Sequence, residues 1–184
     1  MLATRYEASS ATSSPTRNRS IALSIVVAVA LGCCSASLAA SAQPAKISPQ
    51  FIVKSDKWCM TINANFEHTL GKFPFSHFNA TKPDLKTLPL VGKHFAKALP
   101  IRRAIPSGLQ ALGEPGSGEQ AWNALKSLAL HINTVATKQV SYALATDTKD
   151  FVATVKQIQR LHKTLVAEAL AAGFPKTSAC GQVF

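Results

Sequence analysis

Four histidines, two widely spaced cysteines and a run of phenylalanines are the side chains in this chain with the types and spacing for chemistry. His68, His94, His131 and His162 fall one to each expected helix or its edge. Imidazoles converging inside a helical bundle can ligate a metal or a haem iron. The periodicity argues against convergence, because only His162 lies on an apolar stripe and the other three sit at stripe edges. No Glu-x-x-His pair, Cys-x-x-Cys-His, Gly-x-Ser-x-Gly or His-Glu-x-x-His occurs in the sequence, which removes the common signatures of di-iron, haem-attachment, esterase and zinc-protease sites. The expectation is therefore no cofactor and no catalytic residue, with metal or haem at those four histidines, or an enzyme without a recognisable motif, as alternatives.

Phe73, Phe75 and Phe78, with Phe66 one turn before, form either an apolar ligand mouth at one pole or a lid over helix ends. Lys82, Lys86, Lys93, Lys97, Arg102 and Arg103 fall within 22 residues that contain a single acid, Asp84. That density of positive charge suits anionic polymers or lipid headgroups, or simply a solubilising surface. Nucleic acid is not expected, since no basic-aromatic motif is present and the chain carries an export signal.

That signal is the chain's plainest feature. Ile21 through Ala45 is free of charge and follows Arg5, Arg17 and Arg19. A basic segment, the apolar run Ile21–Leu31 and the small residues Ala40-Ser41-Ala42 are the three parts of a secretory signal. Cleavage after Ala42 is the first reading. Val29-Ala30-Leu31-Gly32-Cys33 also matches a permissive lipobox, with Cys33 as the lipidated residue. An uncleaved anchor is the third reading, although a span needs about 20 apolar residues and this run turns Ser- and Ala-rich after Leu31. All three place the remainder outside the cytoplasm, secreted or attached to the cell envelope. Removal of residues 1–42 leaves 17 lysines and arginines against eight acids, a net charge of +9, and two cysteines, Cys59 and Cys180.

Residues 43–54 read as a linker and residues 55–184 as one helical domain. Ser55 to Leu70 reads as a first helix, capped by Ser55 and Gly71, with Trp58, Ile62, Phe66 and Leu70 on one face. A second helical stretch runs from Thr87 to Leu112, kinked or broken at Pro100 and Pro106. After the linker Gly113–Gly118, Ser117 and Gln120 make a capping box for a third helix. Its stripe is Trp122, Leu125, Ala129, Ile132, Ala136 and Ala143. Thr146-Asp147-Thr148 caps a fourth, from Lys149 to Ala172, with Phe151, Val155, Ile158, Leu161 or His162, Leu165 and Ala169 inward, ending at Gly173.

Short connections between amphipathic helices imply an all-α, up-down-up-down four-helix bundle with the signal segment outside the fold. In that order the start of the first helix and the tail after the fourth share a pole, which brings Cys59 to Cys180. An oxidising compartment then favours a disulfide, the alternative being two buried thiols. Trp122 after its Gly-rich linker, Asp150-Phe151 opening the last helix, and Ala171-Ala172-Gly173-Phe174-Pro175 before Cys180 resemble small exported helical proteins, secreted or lipoprotein, of actinobacteria. The resemblance implies compartment and fold, with no activity attached. The function expected is a non-enzymatic binding module of the cell envelope, its basic surface meeting an anionic envelope component or a protein partner. Membrane contact is expected only through the N-terminal segment. A carrier of a small apolar ligand or haem is the alternative.

Overall fold

A computed structural model describes residues 45–180. The segment expected as an export signal, with Arg5, Arg17, Arg19, Cys33, Ala40 and Ala42, lies outside the described residues. Among those described there are five α-helices and no strand: α1 (Pro49–Leu70), α2 (Leu88–Ala96), α3 (Leu99–Ala111), α4 (Glu119–Leu144) and α5 (Thr148–Ala171). None is long and apolar enough to cross a membrane.

The first helix starts at Pro49, not Ser55. Proline suits the first turn, where its missing N–H costs nothing. The inward face is Phe51, Ser55, Cys59, Ile62 and Phe66, a three- and four-residue rhythm. Ser55 is thus a buried mid-helix residue whose hydroxyl donates to the carbonyls of Phe51 (2.9 Å) and Ile52 (3.0 Å) of its own helix. Residues 49–54, expected as linker, are helical. The segment before them is also tied down, since Ile47 is buried and its N–H donates to Ala172 O at 3.1 Å.

The long second stretch does break, at Lys97-Ala98, so that α2 and α3 are separate. Pro100 sits in the first turn of α3, while Pro106 lies inside α3 without ending it. A proline there removes the donor that would have reached the carbonyl four residues earlier, namely that of Arg102. Asn133 of α4 supplies the replacement: its Nδ2 donates to Arg102 O at 3.0 Å.

Helix α4 packs against α2, α3 and α5. Its start differs from the expected capping box. The N-terminal residue is Gly118, at φ 71°, and Ser117 Oγ donates instead to Lys46 O at 3.1 Å. A Cβ on Gly118 would lie 2.6 Å from Ile47 N, so both backbone conformation and space demand glycine here. The six apolar α4 residues expected to face inward are all buried. At α5, Asp147 caps as expected, accepting from Asp150 N at 3.0 Å.

Two apolar clusters result. The larger joins α1, α3, α4 and α5 around Phe51, Ile105, Trp122 and Leu165, with Phe51 edge-on to Trp122 at 4.8 Å. The smaller joins the starts of α2 and α5 to the end of α4 through Leu88, Ala143, Phe151 and Val155. Lys54 of α1 reaches across to donate to Leu112 O at 2.7 Å, satisfying a carbonyl at the end of α3.

Candidate functional site

Helix α2 separates the expected basic patch into an outward and an inward part. Leu88, Val91, Gly92 and His94 are buried. Lys86, Lys93 and Lys97 are exposed, as are Lys82 in the preceding turn and Arg103 on α3. The spacing 90, 93, 97 places Leu90, Lys93 and the C-cap Lys97 within an arc of roughly 60° on the outer side of α2, given 3.6 residues per turn, while Lys86 lies in the turn before the helix. The turn before α2 is fixed by Asp84, whose Oδ1 accepts from Lys86 N (3.1 Å) and Thr87 N (2.7 Å). The Thr87 amide leads in holding the Asp84 carboxyl below its usual range. The one acid of the segment is therefore engaged with the backbone at the start of α2. Among the described residues the one ion pair is Lys126–Glu114, far along the chain from these lysines.

Arg102 does not share that surface. Its guanidinium lies over the Phe66 ring, 5.2 Å from the centroid, and Nη1 donates to Asn133 Oδ1 at 3.5 Å. Burial disfavours the charge and brings its pKa down to about 10. Phe66, expected at a ligand mouth, is a core residue that forms the floor under this cation.

The other three rings of that expected mouth pack among themselves. Phe73 stands edge-on to Phe75 (5.3 Å) and Phe78 (6.4 Å), and stacks on Phe95 of α2 (5.7 Å). Phe78 reaches Phe151 of α5 at 6.1 Å. His94 lies within this set, edge-on to Phe73, Phe75 and Phe95. Burial first, and then the charge of Lys97, lowers its pKa below the ordinary histidine value. His94 is thus the buried histidine of the four. His68 and His131 are exposed, His131 lying 3.3 Å from Gln157 Nε2, and His162 is half-buried. Among the described residues no three His, Cys, Asp or Glu side chains gather as a metal site requires.

Cys59 and Cys180 are joined by a disulfide, with Cα atoms 5.0 Å apart. Because α1 starts early, Cys59 lies in the middle of that helix rather than its first turn. The tail after α5 reaches it by folding back. Phe174 is buried, and Asp56 Oδ1 accepts from Ser178 Oγ (2.7 Å) and Cys180 N (3.2 Å). A cavity of about 30 Å³ beside the bridge is lined by Cys59, Trp122, Leu125, Leu165, Phe174 and Cys180 among others. Trp122 Nε1 is buried there with no acceptor. A space of that size admits a water molecule.

Sequence reasoning missed the leucines that accompany the lysines. Leu85 is 63% exposed and Leu90 48%, and Leu144 at the end of α4 is 43% exposed. The backbone of Leu144 abuts α2, since a Cβ on Gly92 would lie 2.8 Å from Leu144 N. The 90-93-97 spacing was readable in the sequence, but the approach of Leu144 to α2 comes only through tertiary packing at Gly92. Compared with known protein families, curated proteins and solved structures, the chain matches none.

Proposed function

We propose that the chain is an exported, non-enzymatic binding module of the cell envelope that uses the outer face of α2 against an anionic envelope component. The observation that carries this is the group Lys86, Lys93 and Lys97, with Lys82 in the preceding turn, exposed and, among the described residues, free of ion pairs. The disulfide suits an oxidising compartment, and the uncharged segment Ile21–Ala45 behind three arginines suits export. The resemblance to small exported helical proteins of actinobacteria points the same way. In this reading the helices form an up-down bundle in which α2 and α3 together stand as the second helix. The shared cluster at the end of α4 and the starts of α2 and α5 supports that order.

The test is retention of the full chain on anionic vesicles and on a soluble poly(glycerol phosphate) polymer across a salt series. Binding at low salt that weakens as salt rises is expected, because the Debye length of about 8 Å at physiological ionic strength shortens. Absence of retention on both at low salt would refute the proposal.

A further inference from the structure

We infer that the anionic partner of α2 is a lipid surface, and that Leu85, Leu90 and Leu144 enter its acyl boundary while the lysines meet the phosphates. This rests on the reading of the basic face given above and names its partner. Two separate observations carry it.

The first is charge complementarity. Lys82, Lys86, Lys93 and Lys97 are exposed and, among the described residues, without ion-pair partners, and Asp84 spends its carboxylate on the amides of Lys86 and Thr87. Each lysine near an anionic bilayer raises partitioning on the order of fivefold. The second is apolar exposure in the same place. Of the six large hydrophobic side chains that are most exposed among the described residues, three belong to this region: Leu85, Leu90 and Leu144. Leu90 lies on the same arc of α2 as Lys93 and Lys97. Leu85 occupies the turn that Asp84 fixes, and Leu144 ends α4 where its backbone packs against the buried Gly92 of α2. Their presentation is built in, because Leu88 and Val91 on the opposite face are fully buried and hold α2 in place.

A hydrophilic polymer has no use for leucines between the lysines. A bilayer has both parts of the match, phosphates at the surface and an apolar layer about 5–10 Å beneath, where interfacial helices place their apolar side chains. Membrane contact was expected from the sequence only at the N-terminal segment. The leucines of α2 and α4 give the folded domain a contact of its own.

The experiment compares the full chain with a Leu85→Ser/Leu90→Ser/Leu144→Ser variant on vesicles of equal parts phosphatidylglycerol and phosphatidylcholine. Binding to pure phosphatidylcholine measures what residues 21–31 contribute and is subtracted. The leucine variant should bind on the order of tenfold more weakly, and the binding of both should fall in 1 M salt, where the Debye length is about 3 Å. On poly(glycerol phosphate) the two should bind alike. A Leu90→Trp variant should be quenched by brominated lipid beyond the level of the native chain, which carries only Trp58 and Trp122. Circular dichroism of each variant confirms that these surface changes leave the helices intact. Vesicle binding that the leucine variant shares in full, absence of added quenching, or binding to the polymer but not to vesicles overturns the lipid assignment while leaving the anionic partner standing. Failure to bind either at low salt overturns both.

Discussion

His94 is an imidazole held among three phenyl rings, with Lys97 one turn away. Its folded pKa is lowered, so protonation favours the unfolded chain. Both states hold it neutral above about pH 6.5, and the unfolded state takes up the proton first as pH falls below that. Stability should therefore decline as pH drops through this value. The urea midpoint of the native protein should fall between pH 7 and pH 5 more steeply than that of a His94→Leu variant. Equal slopes would mean that the rings do not exclude the charge. Asn133 is the other residue whose role is specific. It gives a hydrogen bond to Arg102 O and accepts one from the guanidinium. Asn133→Ala leaves a carbonyl without a donor in a buried setting, and should cost about 1–3 kcal/mol by denaturant unfolding.

At the scale of elements, α3 shows why a proline need not end a helix. Pro106 takes one donor from Arg102 O, and α4 returns one. Restoring the helical N–H by Pro106→Ala should make Asn133 less necessary. In a double-mutant cycle, Asn133→Ala should cost less in the Pro106→Ala background than in the native one, by roughly 0.5–1.5 kcal/mol, the net worth of one hydrogen bond. Additive effects would show that the carbonyl is satisfied by another route. The break between α2 and α3 falls at Lys97-Ala98, just ahead of Pro100, whose missing N–H leaves the carbonyl of Ala96, the last residue of α2, without its helical donor. That break frees α2 to turn its lysines outward while Arg102, at the start of α3, turns in over Phe66.

At the scale of the whole molecule, the disulfide is a covalent closure between the two ends of the described domain. It links positions 121 residues apart and holds the tail against the middle of α1. In the chain-entropy account such a link stabilises mainly by limiting the unfolded ensemble, more for longer loops. Replacing both cysteines by serine should lower unfolding free energy by about 2–5 kcal/mol. The loss should appear in native protein treated with reductant as well. Asp56 still gathers Ser178 Oγ and Cys180 N in the absence of the bridge, so the tail should remain partly docked. Protection of residues 174–180 in hydrogen exchange, compared between the reduced and oxidised forms, would measure how much each contributes.

Helix positions were legible in the sequence because they depend on local pattern. The α4 stripe repeats at three and four residues and is buried at all six expected positions, while Gly71 and Asp147 end and begin helices through neighbours within four residues. The pairing of Cys59 with Cys180 was an expectation of the sequence, and the disulfide is present. The early start of α1 was not legible, because its stripe passes through Ser55, a polar residue that hides its hydroxyl on its own carbonyls. Ser117 was misjudged because the helix is capped one residue later, at Gly118, and the Ser117 hydroxyl donates to the carbonyl of Lys46, remote in sequence. The inward turn of Arg102, the burial of His94 and the meeting of Leu144 with α2 share one cause. Each depends on what a different helix presents at that height, and helical periodicity states which way a residue faces on its own helix without stating what waits there.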